Sequence, residues 1–319
     1  MKHILSILAS AGALLLASCS DSMLDDSQLG NASATRSTQA TLNMELMQFN
    51  IKSARPIEPS GHTWDDRKAA VAAYINAEAP DIVAVQEAYD GWTMNQFDEL
   101  AALLSSYTGY VAYRGTTTLW DNEGCGIFYK TSRFTEVNKG RFWLSATYDT
   151  ESVGWGSEYK RIATWIILRE KSSLKEFFVI STHFETWSQG DDDASNDGNC
   201  QYESTKIING RIAGLAEGRT VVLMGDLNSN PSLTPARMLQ TAAEGGTLVD
   251  TRNIANSISG MSYTTNNWDT ADNTGAQFDY VMVTKNSASV NTHHTATPLY
   301  NSVVMSDHNP VVVNLDFNL

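Results

Sequence analysis

The chain is predicted to be an α/β protein in which two packed β-sheets are covered by helices. Three observations predict it. Short apolar runs rich in β-branched residues alternate with segments that carry helix caps and helical spacing. Nothing between Leu42 and Leu319 reads as a second linker or a repeat, and so many buried strands in one domain call for two sheets packed face to face. Polar residues stand where the runs begin or end, so that in antiparallel sheets they would gather at one edge.

Residues 1–18 read as an export signal: Lys2 and His3, then the apolar stretch Ile4–Leu16, too short to span a membrane. Leu16-Ala17-Ser18-Cys19 has the form of a bacterial lipobox, with Cys19 as the lipid-bearing first residue after cleavage. The competing reading is a signal removed by an ordinary peptidase. Residues 19–40 are rich in Ser, Asp, Ala and Thr and have no apolar period, as in a flexible tether. The expected organisation is a signal (1–18), a tether (19–40) and one catalytic domain (41–319), monomeric and held to the cell envelope by lipid alone.

Along that domain, Leu42, Met44 and Leu46 alternate in LNMELMQFN, a strand that closes on Asn50. Thr63 to Asp66 fits a capping box opening a helix to about Asn76. DIVAVQE is continuously apolar, as in a strand buried on both faces, and closes on Glu87. Thr93 is placed to cap a helix in which Phe97, Leu100, Ala101 and Leu104 share a face. GIFYK, TWIILRE, FFVISTHF and TVVLMGDLN follow as strands, with a helix near Tyr202–Glu217 between the last two. FDYVMVT and PVVVNLDF finish the chain.

The apolar share of 42% with 18% charged residues describes a folded chain with an ample core. The formal charge of −14 disfavours non-specific binding to nucleic acid or anionic lipid, and loss of Lys2 with the signal makes it one unit more negative. Cys125 and Cys200 lie too far apart in sequence to signal a disulfide, and Cys125 in GCGIFY reads as a small buried residue.

The polar strand ends carry the chemistry. Glu87 offers hard oxygen suited to Mg²⁺ or Mn²⁺, with Asn50 and Asp307 as further oxygen donors. Asp226 and Asn228, two apart in GDLN, face one way: the acid can activate water and the amide can hold a phosphoryl oxygen. Asp279 can raise the imidazole pKa of His308, and His183 offers a second cationic donor. Together they supply charge neutralisation, an activated water and a stabilised leaving oxygen.

QE at 86–87, TH at 182–183, GDLN at 225–228, DY at 279–280 and SDH at 306–308 resemble, in order, the endonuclease/exonuclease/phosphatase superfamily. That resemblance implies a four-layer sandwich of two mixed, mostly antiparallel sheets flanked by helices, with one or two divalent ions in a cleft. It implies Glu87, Asn50 and Asp307 as metal ligands, Asp226 as the water-activating acid and Asn228 as the phosphate holder. His308 with Asp279 would stabilise the transition state, and His183 matches a second histidine of the nuclease and sphingomyelinase branches.

HTWDDRK (62–68), RFWLS (141–145) and KRIATW (160–165) look like a secreted bacterial branch, in which Arg161 would face the phosphate. Gln201 stands where that branch often has Arg. Asp193, Ser195, Asp197 and Gly198 match the opening of a calcium loop, but Ser204 replaces its closing acid, which favours a solvated loop. Trp143, Tyr148, Trp155 and Tyr159 are candidates to wall the cleft. The expected activity is metal-dependent hydrolysis of a small sugar, inositol or lipid head-group phosphate. An extracellular endonuclease and a non-catalytic surface binding lipoprotein are the alternatives.

Overall fold

The structure, a computed structural model, describes residues 40–55, 59–115, 122–186, 199–271 and 275–319. The expected signal, Cys19, nearly all of the tether and the calcium-loop opening lie outside these residues. The strands are β1 (Thr41–Asn50), β2 (Ile82–Tyr89), β3 (Tyr107–Tyr113), β4 (Glu123–Lys130), β5 (Phe134–Trp143), β6 (Ile162–Glu170), β7 (Glu176–His183) and β8 (Thr220–Asp226). They continue with β9 (Leu248–Asp250), β10 (Ala255–Gly260), β11 (Asp279–Thr284), β12 (Ala288–Thr295), β13 (Leu299–Tyr300), β14 (Val303–Val304) and β15 (Val311–Asn318). The longer helices are α1 (Trp64–Glu78), α2 (Gln96–Leu103) and α3 (Cys200–Leu215).

Two sheets carry the fold, one in the order β10-β12-β15-β1-β2-β4-β3 and the other β5-β6-β7-β8-β11-β9. Among the described residues, only β1–β2, β10–β12 and β7–β8 pair in parallel, so both sheets are mixed and mostly antiparallel. Their facing sides interlock through one apolar cluster, in which Met44, Leu46, Ile82 and Ala84 meet Val179, Val222, Met224 and Val281. Behind the first sheet, Met47, Phe49, Val83 and Val85 pack on Trp64, Val71 and Ile75 of α1 and Phe97 and Leu100 of α2. Behind the second, Phe178, Ile180, Val221 and Leu223 pack on Ile208 and Ile212 of α3. This is the expected helix–sheet–sheet–helix stack.

The α1 capping box forms as read, with Thr63 and Asp66 each accepting from the other's backbone. At α2 the cap is Asn95, not Thr93: the helix starts at Gln96, so the amide side chain lies one residue before the first turn and accepts from Asp98 N. Asn199 caps α3, which starts at Cys200. Cys125 and Cys200 are both buried and free. Strands β3, β5, β10 and β12 carry no continuous apolar run, because three are sheet edges and β12 borders one, and they keep polar residues on an exposed face.

Arg67 of α1 is fully buried and spends its guanidinium on backbone carbonyls of Ile51 (2.7 Å), Met305 (2.8 Å), His62 (2.7 Å) and Lys52 (3.3 Å). It thereby ties the segment after β1 to the segment before β15. Gln96 supports the same segment, accepting from Ala54 N and Tyr89 N and donating to Lys52 O. Arg67→Met is expected to cost at least about 3 kcal/mol, since several buried carbonyls lose their donor. Denaturant unfolding checks this; a loss under about 1 kcal/mol would show the clamp to be dispensable.

Candidate active site

Strand parity selects what points into the seam between the sheets. In β1, Met44 and Leu46 face the seam, so Gln48 and Asn50 do as well. The same parity carries Val179, Ser181 and His183 along β7, Val222, Met224 and Asp226 along β8, and Val283, Val281 and Asp279 along β11. Register brings the ends together, since Asp226 pairs with His183 on one side and Asp279 on the other. The seam is apolar until its last layer, where polar side chains replace the core.

Glu87 breaks this rule. Its odd number aligns it with Val83 and Val85, which face α1 and α2. A bulge between Val85 and Ala88, with Glu87 in the left-handed region (φ 60°), turns the carboxylate back into the seam. Asn228 is also left-handed (φ 46°). Gly225 before it admits a close approach of β7: an added Cβ would lie 2.6 Å from Thr182 O.

Asn50 joins the two carboxylates, its Nδ2 donating to Glu87 Oε1 (3.0 Å) and Asp226 Oδ2 (2.9 Å). Ser53 N donates to Glu87 Oε2 at 3.0 Å. His308 Nδ1 lies 2.8 Å from Asp279 Oδ2, and its Nε2 is 3.8 Å from Asp226 Oδ2. His183 Nε2 is 3.7 Å from the same oxygen. Arg161 reaches His183 Nδ1 with one arm (3.2 Å) and Glu185 Oε1 with the other (2.9 Å). Asn228 Nδ2 donates to Phe184 O at 2.9 Å and lies 3.0 Å from His183 Nε2.

The electrostatics separate these groups. Burial opposes charge on Glu87, but Lys52, with His308 beyond, holds its carboxyl well below the usual carboxylate range. Burial, reinforced by Asp279, pushes Asp226 up to about 7. Burial also opposes charge on His308, yet Asp279 outweighs it and drives the imidazole up to about 10. His183 goes the other way. Burial and then Arg161 hold it well below the usual imidazole range, so it is a neutral donor beside a guanidinium and not the second cation expected.

Among the described residues, two sets of side chains each bring one ligand atom per residue within 4.8 Å of the others: Glu87–His183–Asp226 and Asp226–Asp279–His308. Lys52 Nζ lies 3.0 Å from Asp307 Oδ2 and 3.6 Å from Glu87 Oε2. The protein thus places a positive charge where these two carboxylates meet. Hard oxygens arranged around a cationic position fit Mg²⁺ or Mn²⁺.

The cleft over this cluster encloses ≈ 380 Å³. Tyr159 and Trp268 line it. Arg55, Arg114 and Arg161 place their guanidinium carbons 5.3, 4.7 and 5.5 Å from the Tyr159 ring centre. Glu123 pairs with Arg55 (2.6 Å) and Arg114 (2.9 Å). Of the other aromatic candidates, Trp143 is buried with Cys125 and Ile162, and Tyr148 packs under Arg211. Trp155 is not among the lining residues. Gln201 is buried and donates to Glu185 O and Asn228 O, joining the ends of β7 and β8 instead of facing the cleft. Lys52, Gln48 and Trp268 escaped the sequence reading, because no local pattern marks a residue whose role comes from a distant strand.

A model of the Endonuclease/Exonuclease/phosphatase family matches residues 47–308. An uncharacterized protein of Acanthamoeba polyphaga mimivirus is 26% identical over 129 residues, 40% of this chain and 48% of that protein, so the chain spans about half the length of that relative. A family protein from Bacteroides thetaiotaomicron superposes with a TM-score of 0.76 at 24% identity, covering 88% of this chain and 100% of that one. A mannosyl-6-phosphatase of the same organism gives 0.72 at 24% identity, over 85% and 99% of the two chains. At these identities the solved structures speak for the fold.

Proposed function

The chain belongs to the endonuclease/exonuclease/phosphatase family, whose members are hydrolases of phosphate esters, and from that premise we propose that it is a divalent-metal-dependent phosphoesterase. Its substrate is a small sugar, inositol or lipid head-group phosphate. The convergence of Glu87, Asp226, His183 and His308 on one cleft carries this reading. Glu87 and Asp307 would hold a Mg²⁺ or Mn²⁺ ion, joined by Asn50 once its Oδ1 turns from the Lys52 N it accepts from at 3.1 Å, and the ion would supply charge neutralisation to the phosphate. Asp226, pushed up to about 7, takes the proton of the attacking water near neutral pH. His308, kept charged by Asp279, and Arg161 offset the charge that builds on the phosphoryl oxygens. Neutral His183, whose Nδ1 accepts from Arg161, keeps its proton on Nε2 and donates from there to the same group.

The net charge and the size of the cleft support a small substrate over a duplex. A fold relative named for mannosyl-6-phosphate chemistry makes hexose 6-phosphates the first compounds to test. In the proposed setting, Cys19 carries lipid and the monomeric enzyme acts at the cell envelope.

The test is the purified protein with Mg²⁺ against hexose phosphates, inositol phosphates, sphingomyelin and DNA. Hydrolysis of a small phosphate ester is expected, abolished by a chelator and restored by Mg²⁺ or Mn²⁺. Turnover that survives chelation contradicts the role of the ion, and cleavage of DNA alone replaces the reading with a nuclease.

A further inference from the structure

We propose that Trp268 is a binding platform for the leaving group, packing against the apolar face of a sugar ring while the phosphate sits at the carboxylate cluster; this rests on the phosphoesterase reading. Trp268 lines the cleft together with Glu87, Asp226 and His308, and faces the same space as Tyr159. Its backbone is held in the left-handed region (φ 67°), as is that of Asn267 (φ 50°). A bulky residue is strained there, and such strain persists where surrounding contacts over-determine it.

The supports of Trp268 are built into the site itself. Trp268 N donates to Asn266 Oδ1 at 2.8 Å. Asn266 is fully buried, donates from its backbone to Asp307 O (2.8 Å) and from its side chain to Asn309 Oδ1 (2.9 Å). The indole stacks on His62 with ring centres 4.5 Å apart, and the Arg67 guanidinium carbon lies 5.1 Å from it. Arg67 is the same residue that clamps the segments bearing Lys52 and Asp307. An aromatic side chain fixed at this cost, still partly exposed and pointed at the cleft, is preorganised for a ligand rather than for the core.

The rest of the wall selects the chemistry of that ligand. Around Tyr159, apart from the phosphate-facing Arg161, stand the guanidinium groups of Arg55 and Arg114. A pyranose has an apolar face for the indole and a rim of hydroxyls for these donors.

Trp268→Ala and Trp268→Phe separate this from a structural role. For hexose 6-phosphate, Trp268→Ala is expected to raise KM about tenfold with kcat within about threefold, and Trp268→Phe to restore most of the affinity. For glycerol phosphate, which has no ring, both variants should match the parent and so report an intact fold. Calorimetric binding of hexose 6-sulfate reads the platform without turnover, and its Kd should rise about tenfold in Trp268→Ala. Equal losses on both phosphates, or an unchanged Kd for the sulfate, overturns the proposal. Loss of turnover by the parent on every phosphate, with the sulfate effect intact, removes the phosphoesterase reading and leaves the ring site.

Discussion

His308→Ala is expected to lower kcat on a phosphate ester by about 10²–10⁴ while changing KM by no more than a few fold. The imidazole is buried, hydrogen-bonded to Asp279 at 2.8 Å and turned toward Asp226. The charge that Asp279 sustains on it is needed most when negative charge builds on the phosphoryl oxygens. Its removal therefore affects the transition state more than the bound substrate. Asp279 keeps Gln48 Nε2 at 3.2 Å as a partner, so the variant should still fold. A melt within a few degrees of the parent, together with the kinetic loss, makes the argument; an active His308→Ala enzyme would remove His308 from the chemistry.

Glu87→Ala should do still more, abolishing activity and weakening Mn²⁺ binding together. Glu87 is held by Asn50 and Ser53 N and faces Lys52 across from Asp307. A carboxylate kept so far toward its charged form, on a strained backbone, is suited to hold a divalent ion. The loss of kcat/KM should exceed about 10³, with several kcal/mol of charge neutralisation gone. Mn²⁺ affinity followed by electron paramagnetic resonance should fall in parallel. Unchanged affinity would place the ion elsewhere.

Much of the site was legible because β-structure obeys a period of two. Asn50, His183, Asp226 and Asp279 fall at the ends of runs whose apolar members share their parity, so a reader of letters can place them at one edge. Glu87 was found by type and position, although simple alternation would send it to the helix side; the bulge that redirects it has no clear mark in DIVAVQE. The second cation expected at His183 runs against its surroundings: burial and then Arg161, twenty-two residues away along the chain and brought close by β6–β7 pairing, hold the ring below the usual imidazole range, and neither is marked in the letters. Lys52 and Trp268 were invisible for the same reason. The polar edge strand β10 and its neighbour β12 gave no apolar signal, since their exposed faces need none.

The account stands on these distant side chains meeting around one divalent cation. Crystals soaked in Mn²⁺ and measured for anomalous scattering test this most directly. The account predicts one strong peak about 2.1 Å from a carboxylate oxygen of Glu87 and within ligand reach of Asp307. A peak remote from Glu87, or none at saturating Mn²⁺, contradicts it.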